Sequence, residues 1–152
     1  MNNTLIADVK HILVRDLQTM AGEVADTPDE DLWEALPGVI NPVGTLALHI
    51  CGNLRHFIGA LLGSDGYLRD RDREFNLRDM PKEELLGEIT DTAIAIAAAL
   101  DGLDPARLND PMPAPPPQHQ GRTIGFFLVQ LCCHTHRHQG QLNYLRRIKK
   151  GI

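Results

Sequence analysis

Three of the seven histidines lie within five residues near the carboxyl end of the chain, His134, His136 and His138. His134 and His138 are four residues apart, so on an α-helix both rings leave the same face, with Cβ atoms about 5–6 Å apart. Apolar residues continue this face in both directions, which predicts that the two imidazoles point into the protein core. Buried polar rings need partners, and a divalent metal ion joins two facing imidazoles. The pair therefore predicts a metal site.

His49 is the best candidate for a third ligand, because it lies beside the apolar stripe of a second predicted helix. Three imidazoles from two helices leave coordination positions for water or substrate, a pattern that suits zinc, nickel or ferrous iron. Asn53 and His56 follow along a polar flank of the same helix, and Gln141 lies one turn beyond His138. These three side chains are candidates to orient the ligands.

Simpler interpretations stay open beside the metal site. A core histidine is often only hydrogen-bonded, which applies to His49 alone and to the pair on the later helix. His136 lies about 200° around the helix from that pair and is expected to be exposed, as are His11 and His119. The cysteines are rotated away from the ligand positions and are expected to be buried structural thiols. They are Cys51, Cys132 and Cys133.

The elements that must hold these residues read as four long helices and no strand. Apolar residues recur at helical spacing over about residues 5–24, 41–63, 79–100 and 124–150. The connections 64–79, which is charged, and 102–122, which is proline-rich, exceed the roughly 2–8 residues that join neighbours in a simple bundle. The sequence therefore predicts an all-α four-helix bundle with long crossover connections, folded as one domain over residues 1–152.

Composition and motifs exclude several classes of function. The net charge of −5 and the isoelectric point of about 5.7 argue against binding to a nucleic-acid backbone. No apolar stretch reaches the roughly 20 residues that cross a bilayer, and no secretory leader pattern is visible, so a reduced cytoplasmic compartment is expected. The sequence has no phosphate-binding loop, no dinucleotide fingerprint, and neither an H-E-x-x-H nor a Glu-x-x-His pattern.

Two stretches together resemble a known family. Residues 43–49 read Val-Gly-Thr-Leu-Ala-Leu-His, and residues 134–141 contain the pattern His-x-x-x-His-Gln-Gly-Gln. This combination resembles the DinB-like superfamily, damage-inducible-type four-helix bundles that hold a divalent metal ion with three histidines. The resemblance covers nearly the whole chain, and by position it matches the metal ligands to His49, His134 and His138.

The resemblance implies a function that the residues alone do not define. The family includes bacterial transferases that use low-molecular-weight thiols such as bacillithiol, a related mycothiol-dependent isomerase, and members without known activity. It thus implies a homodimer and a metal-dependent thiol S-transferase that joins a thiol to an electrophilic small molecule. The alternative is a non-catalytic bundle braced by its metal, which acts through a protein partner at segments 64–79 and 102–122 unless these are only solvated loops.

One structural feature discriminates between these two functions. A catalytic metal needs an accessible cavity above it, whereas a structural metal is closed by a fourth protein ligand.

Overall fold

The computed structural model describes residues 4–150, so residues 1–3 and 151–152 of the expected domain lie outside the described part, as does the side chain of Lys150. Within residues 4–150 the fold is all-α and contains no strand, only one isolated bridge between Pro111 and Thr123. The helices are α1 (Thr4–Asp26), α2 (Val43–Leu54), α3 (Arg71–Asn76), α4 (Lys82–Asp101) and α5 (Ile124–Lys150). The predicted fold class and the four long helices are confirmed.

The long helices form a bundle in which α1 and α2 lie diagonally opposite each other. Each of these two packs against both α4 and α5, whereas α1 and α2 touch each other only slightly. The chain therefore has to cross the bundle between α1 and α2, and again between α4 and α5. This explains why these two connections, residues 27–42 and 102–123, are much longer than hairpin loops.

Helix α2 is the most deeply placed element, since every residue from Val43 to Leu54 is buried. It continues without a break into a π-helical segment, Arg55–Leu62. Trp33 closes one end of the bundle over the start of α2, and its Nε1 donates a hydrogen bond to the Met80 carbonyl at 2.9 Å. A glycine is needed beneath this ring, because a Cβ at position 44 would lie 2.5 Å from it.

The charged connection 64–79 is mostly exposed but contains the short helix α3. Asp70 caps that helix by accepting a hydrogen bond from the Arg73 backbone amide at 2.9 Å. The helix packs against α2 and carries Glu74 into the protein, where only 2% of this residue is exposed.

None of the helices within residues 4–150 is sufficiently long and apolar to traverse a bilayer.

Candidate metal centre

The three predicted ligand histidines meet in space. The Nε2 atom of His134 lies 3.3 Å from Nε2 of His49 and 3.1 Å from Nε2 of His138. One nitrogen from each ring can be chosen so that all three lie within 4.8 Å of one another. Nitrogen ligands about 2.0–2.1 Å from a tetrahedral zinc ion are roughly 3.3 Å apart. The spacing of the three rings therefore matches a shared ion.

His49 is held by a buried carboxylate that sequence reasoning did not identify. Its Nδ1 lies 3.2 Å from Oε1 of Glu74, and that carboxylate also accepts two hydrogen bonds from Arg69, both at 2.8 Å. Burial alone would raise the pKa of Glu74, but the hydrogen bonds from Arg69 and His49 and the positive charge of Arg69 bring it below its usual value. The ionised carboxylate thus accepts the Nδ1 hydrogen of His49, which leaves the Nε2 lone pair facing the other two rings.

A glycine in α2 makes room for this carboxylate. A Cβ built on Gly52 would lie 2.1 Å from Oε2 of Glu74 and 2.5 Å from its Cδ atom. Gly52 is three residues after His49, so it leaves a gap on nearly the same face of the helix. This glycine, which is otherwise unfavourable inside a helix, was the sequence signal that could have pointed to a side chain entering from another element.

His138 is oriented from the opposite side by a residue of its own helix. Its Nδ1 donates a hydrogen bond to Oε1 of Gln141 at 2.7 Å, with the amide placed so that its oxygen accepts. The Nε2 lone pair of His138 therefore points towards the cluster, as that of His49 does. Two lone pairs that converge in this way fit a cation between them.

His134 completes the cluster without an orienting partner. Its Nδ1 is buried and has no hydrogen-bond partner among the described residues. Burial, with the positive charges of His138 and His49, lowers the pKa of His134 to about 3. Burial likewise lowers the pKa of His138, although its hydrogen bond with Gln141 opposes the shift. Both rings are therefore neutral at pH 7, which is the form that binds metal.

A cavity of about 590 Å³ opens directly over the cluster. The three ligand histidines line it together with Asn53 and with residues of the connections 27–42, 64–79 and 102–123. No aspartate, glutamate or cysteine is among its lining residues, and among the described residues the group of possible ligand atoms within 4.8 Å of one another contains only the three histidines. The arrangement can bind a metal ion and still admit a small molecule.

Of the other two predicted orienting residues, Asn53 lines the cavity and His56 does not. Asn53 is buried on the cavity wall, and its Oδ1 has no hydrogen-bond partner in the described part of the chain. The ring of His56 packs against Phe57, with ring centroids 4.8 Å apart, and does not line the cavity. Burial and the charge of Arg69 lower the pKa of His56.

Two expectations about other histidines and cysteines are wrong. His119 is not fully exposed but half-buried, because the proline-rich connection folds over the cavity and sets its ring 5.8 Å from that of Phe127. Cys133 is exposed and Cys132 is half-buried, whereas Cys51 is buried as expected. His136 is exposed, as predicted, and its Nδ1 lies 3.0 Å from the buried carboxylate of Asp16.

The chain matches the sequence profile of a known family. The sequence profile of the DinB superfamily matches residues 12–142, which include all three clustered histidines. No curated protein matches the chain.

Proposed function

The chain belongs to the DinB superfamily, and we propose that it is a metal-dependent enzyme that transfers a low-molecular-weight thiol to an electrophile. His49, His134 and His138 are the proposed ligands of one divalent ion, either zinc, nickel or iron. A divalent ion bound there would supply Lewis acidity, which favours the thiolate form of a thiol.

The observation that carries this proposal is the cavity above the three converging Nε2 atoms. A bracing metal is enclosed by protein ligands, whereas a catalytic one retains a position for substrate. Among the described residues, only the three histidines have possible ligand atoms within 4.8 Å of one another, and this supports the catalytic alternative over the brace.

The chain's own residues would hold the site in its working form. Glu74 and Gln141 keep the Nδ1 hydrogens of His49 and His138 in place, so that both Nε2 atoms are available as ligands. Asn53 lines the cavity wall, and we propose that its side-chain amide forms a hydrogen bond with bound water or substrate. An orienting role for His56 stays a prediction.

In the proposed reaction the thiol sulfur forms a bond to an electrophilic carbon. The leaving group departs with the electron pair of the bond that breaks, and the thiol proton is released to solvent. No external oxidant or reductant is needed, which agrees with the absence of a dinucleotide fingerprint in the sequence.

The test begins with elemental analysis of untagged protein that has never contacted a nickel resin. The metal-loaded protein is then incubated with 1-chloro-2,4-dinitrobenzene and, in turn, cysteine, glutathione, bacillithiol and mycothiol. We expect turnover with at least one thiol, and its loss in His134→Ala but not in His11→Ala, which removes an exposed histidine of α1. Turnover that survives His134→Ala would contradict the proposal. A melting temperature that falls on chelation without any thiol transfer would favour the brace.

We also propose that the protein is a homodimer in a reducing, cytoplasmic compartment. Support for the dimer comes from exposed apolar side chains beside the site: Ile40, Tyr144 and Ile148 are 85%, 67% and 59% exposed. They line a second depression that also includes His138 and Gln141. Sedimentation equilibrium tests the dimer, and a monomer at all accessible concentrations would contradict it.

A further inference from the structure

The cavity over the histidine cluster is positively charged, although the protein as a whole is acidic. The chain has 20 acidic and 15 basic residues, yet none of the acidic ones lines the cavity. Its wall instead includes three arginines, Arg69, Arg71 and Arg137, in addition to the histidines. A concave site lined by one sign of charge concentrates ligands of the opposite sign.

Two of these arginines are available to a ligand. Arg69 is committed to Glu74 through two hydrogen bonds. Arg71 and Arg137, by contrast, form no ion pair with any carboxylate within residues 4–150 and are exposed. Their guanidinium groups therefore have hydrogen-bond donors that face solvent or cavity rather than a protein acceptor.

Arg71 is positioned at the edge of the cluster by an aromatic ring. Its guanidinium carbon lies 5.3 Å from the centroid of the Phe75 ring, and that ring lies 5.0 Å from the ring of His49. A cation–π contact of this kind favours arginine over lysine, and it limits the positions that the guanidinium group can take. Arg137 precedes His138 directly on α5 and lines the same cavity.

The remaining wall combines six apolar side chains with four amide side chains and His119. Three phenylalanines contribute to it, Phe57, Phe75 and Phe127, together with Leu46, Leu131 and Pro116. A volume of about 590 Å³ lies within the roughly 300–1,000 Å³ range of small-molecule sites. The wall thus fits a ligand that has an apolar body and a charged end.

We propose that this cavity selects small organic oxyanions, with a carboxylate or phosphate group bound by Arg71 and Arg137 and an apolar body against the phenylalanines. The proposal rests on the proposed function, because it names the chemical class of substrate for the same site. It predicts that charge selection belongs to the arginines and does not require the metal.

The experiment uses three probes of similar size on the full chain: phenylacetate, phenyl phosphate and neutral phenylacetamide. Affinities are measured by NMR titration with zinc-loaded and with metal-free protein. We expect at least one of the two anions to bind about tenfold more tightly than the amide in both forms, since a charge-assisted hydrogen bond contributes about a factor of ten. Comparison of the two anions identifies whether the preferred group is carboxylate or phosphate.

The variants Arg71→Gln and Arg137→Gln test which residues select the anion. Each variant should weaken binding of the preferred anion several-fold and leave the affinity for phenylacetamide unchanged. Arg107→Gln is the matched control, because Arg107 is also exposed and lies outside the cavity. An unchanged NMR spectrum of the protein's backbone amides and an unchanged unfolding midpoint would show that the variants remain folded.

Two results would overturn the proposal. The first is equal binding of the anions and the amide in both forms of the protein. The second is an anion preference that disappears with the metal and is insensitive to both substitutions, because the metal alone would then select the anion. Failure of the proposed function is distinguishable from both, since a chain that bound no metal could still show arginine-dependent selection in the metal-free arm.

Discussion

Gly52→Ala is the substitution that best tests how the cluster is built. In most helices this change stabilises the fold by about 0.5–1 kcal/mol, because alanine restricts the unfolded chain. At position 52 the new Cβ would lie 2.1 Å from Oε2 of Glu74, whereas ordinary contact begins near 3.4 Å. The carboxylate must therefore move by about 1.3 Å, and it is buried between its partners.

The cost follows from what that displacement breaks. Oε2 of Glu74 accepts from Nε of Arg69 at 2.8 Å, and Oε1 lies 3.2 Å from Nδ1 of His49. Each hydrogen bond to a charged group contributes about 1.5–3 kcal/mol. Loss of one or two of them outweighs the helix-propensity gain, so we expect a net destabilisation of about 2 kcal/mol. Zinc affinity should fall about 10–100-fold, as expected when a group that orients a ligand is displaced.

Two other glycines provide matched controls for the helix-propensity effect. Gly22 in α1 and Gly87 in α4 are exposed, and a Cβ at either position would have no other heavy atom within 4 Å. Alanine at either position should raise the free energy of unfolding by about 0.5–1 kcal/mol and leave zinc affinity unchanged. The measurements are urea denaturation followed by circular dichroism and zinc competition against a chromophoric chelator.

The route of the effect is tested by a double-mutant cycle with Glu74→Ala, which removes both the carboxylate and the steric contact. If Gly52→Ala acts by displacing the carboxylate, its effect on zinc affinity should be much smaller once the carboxylate has been removed. A Gly52→Ala protein that is as stable as Gly87→Ala and binds zinc with unchanged affinity would refute the reasoning. Equal effects in the two backgrounds would show that the glycine matters for another reason.

Two further outcomes are expected. The pKa of His134 is lowered from 6.5 to about 3 in the folded protein, so between these pH values the unfolded chain binds a proton that the folded chain does not. The free energy of unfolding of the metal-free protein should therefore fall as the pH is lowered from about 6.5 towards 3. His134→Asn should reduce this slope in urea titrations at several pH values, and an identical slope would contradict the assignment. Burial raises the pKa of the Cys51 thiol to about 12. Iodoacetamide at pH 8 should therefore label the exposed Cys133 and spare Cys51, which should be labelled only in urea. Peptide mass spectrometry measures the labelling of each cysteine.

Much of the fold could be predicted because helix formation is encoded locally. The apolar spacing that located the four long helices depends on residues within a few turns of each other. The pairing of His134 and His138 is equally local, because four residues along any α-helix return to the same face. His49 required one more inference, that a polar ring beside an apolar stripe points between helices.

Other features could not be predicted because the contacts that decide them span different elements. In the sequence, Glu74 and Arg69 belong to a run of alternating charges, which is typical of a solvated loop. Glu74 is buried and Arg69 is half-buried because α3 docks on α2, where Gly52 leaves room for a carboxylate. His119 likewise lines the cavity because the proline-rich connection folds back over it.

The sequence by itself thus determined the four long helices, the pair of imidazoles on the last helix and the choice of His49 as the third ring. The tertiary structure decided which groups orient those rings, and that the space above them is open and lined by arginine rather than by acid. The physical reason is the difference in sequence separation. Helical periodicity is set over one or two turns, whereas the buried contact between Glu74 and His49 joins residues that are 25 positions apart in the sequence.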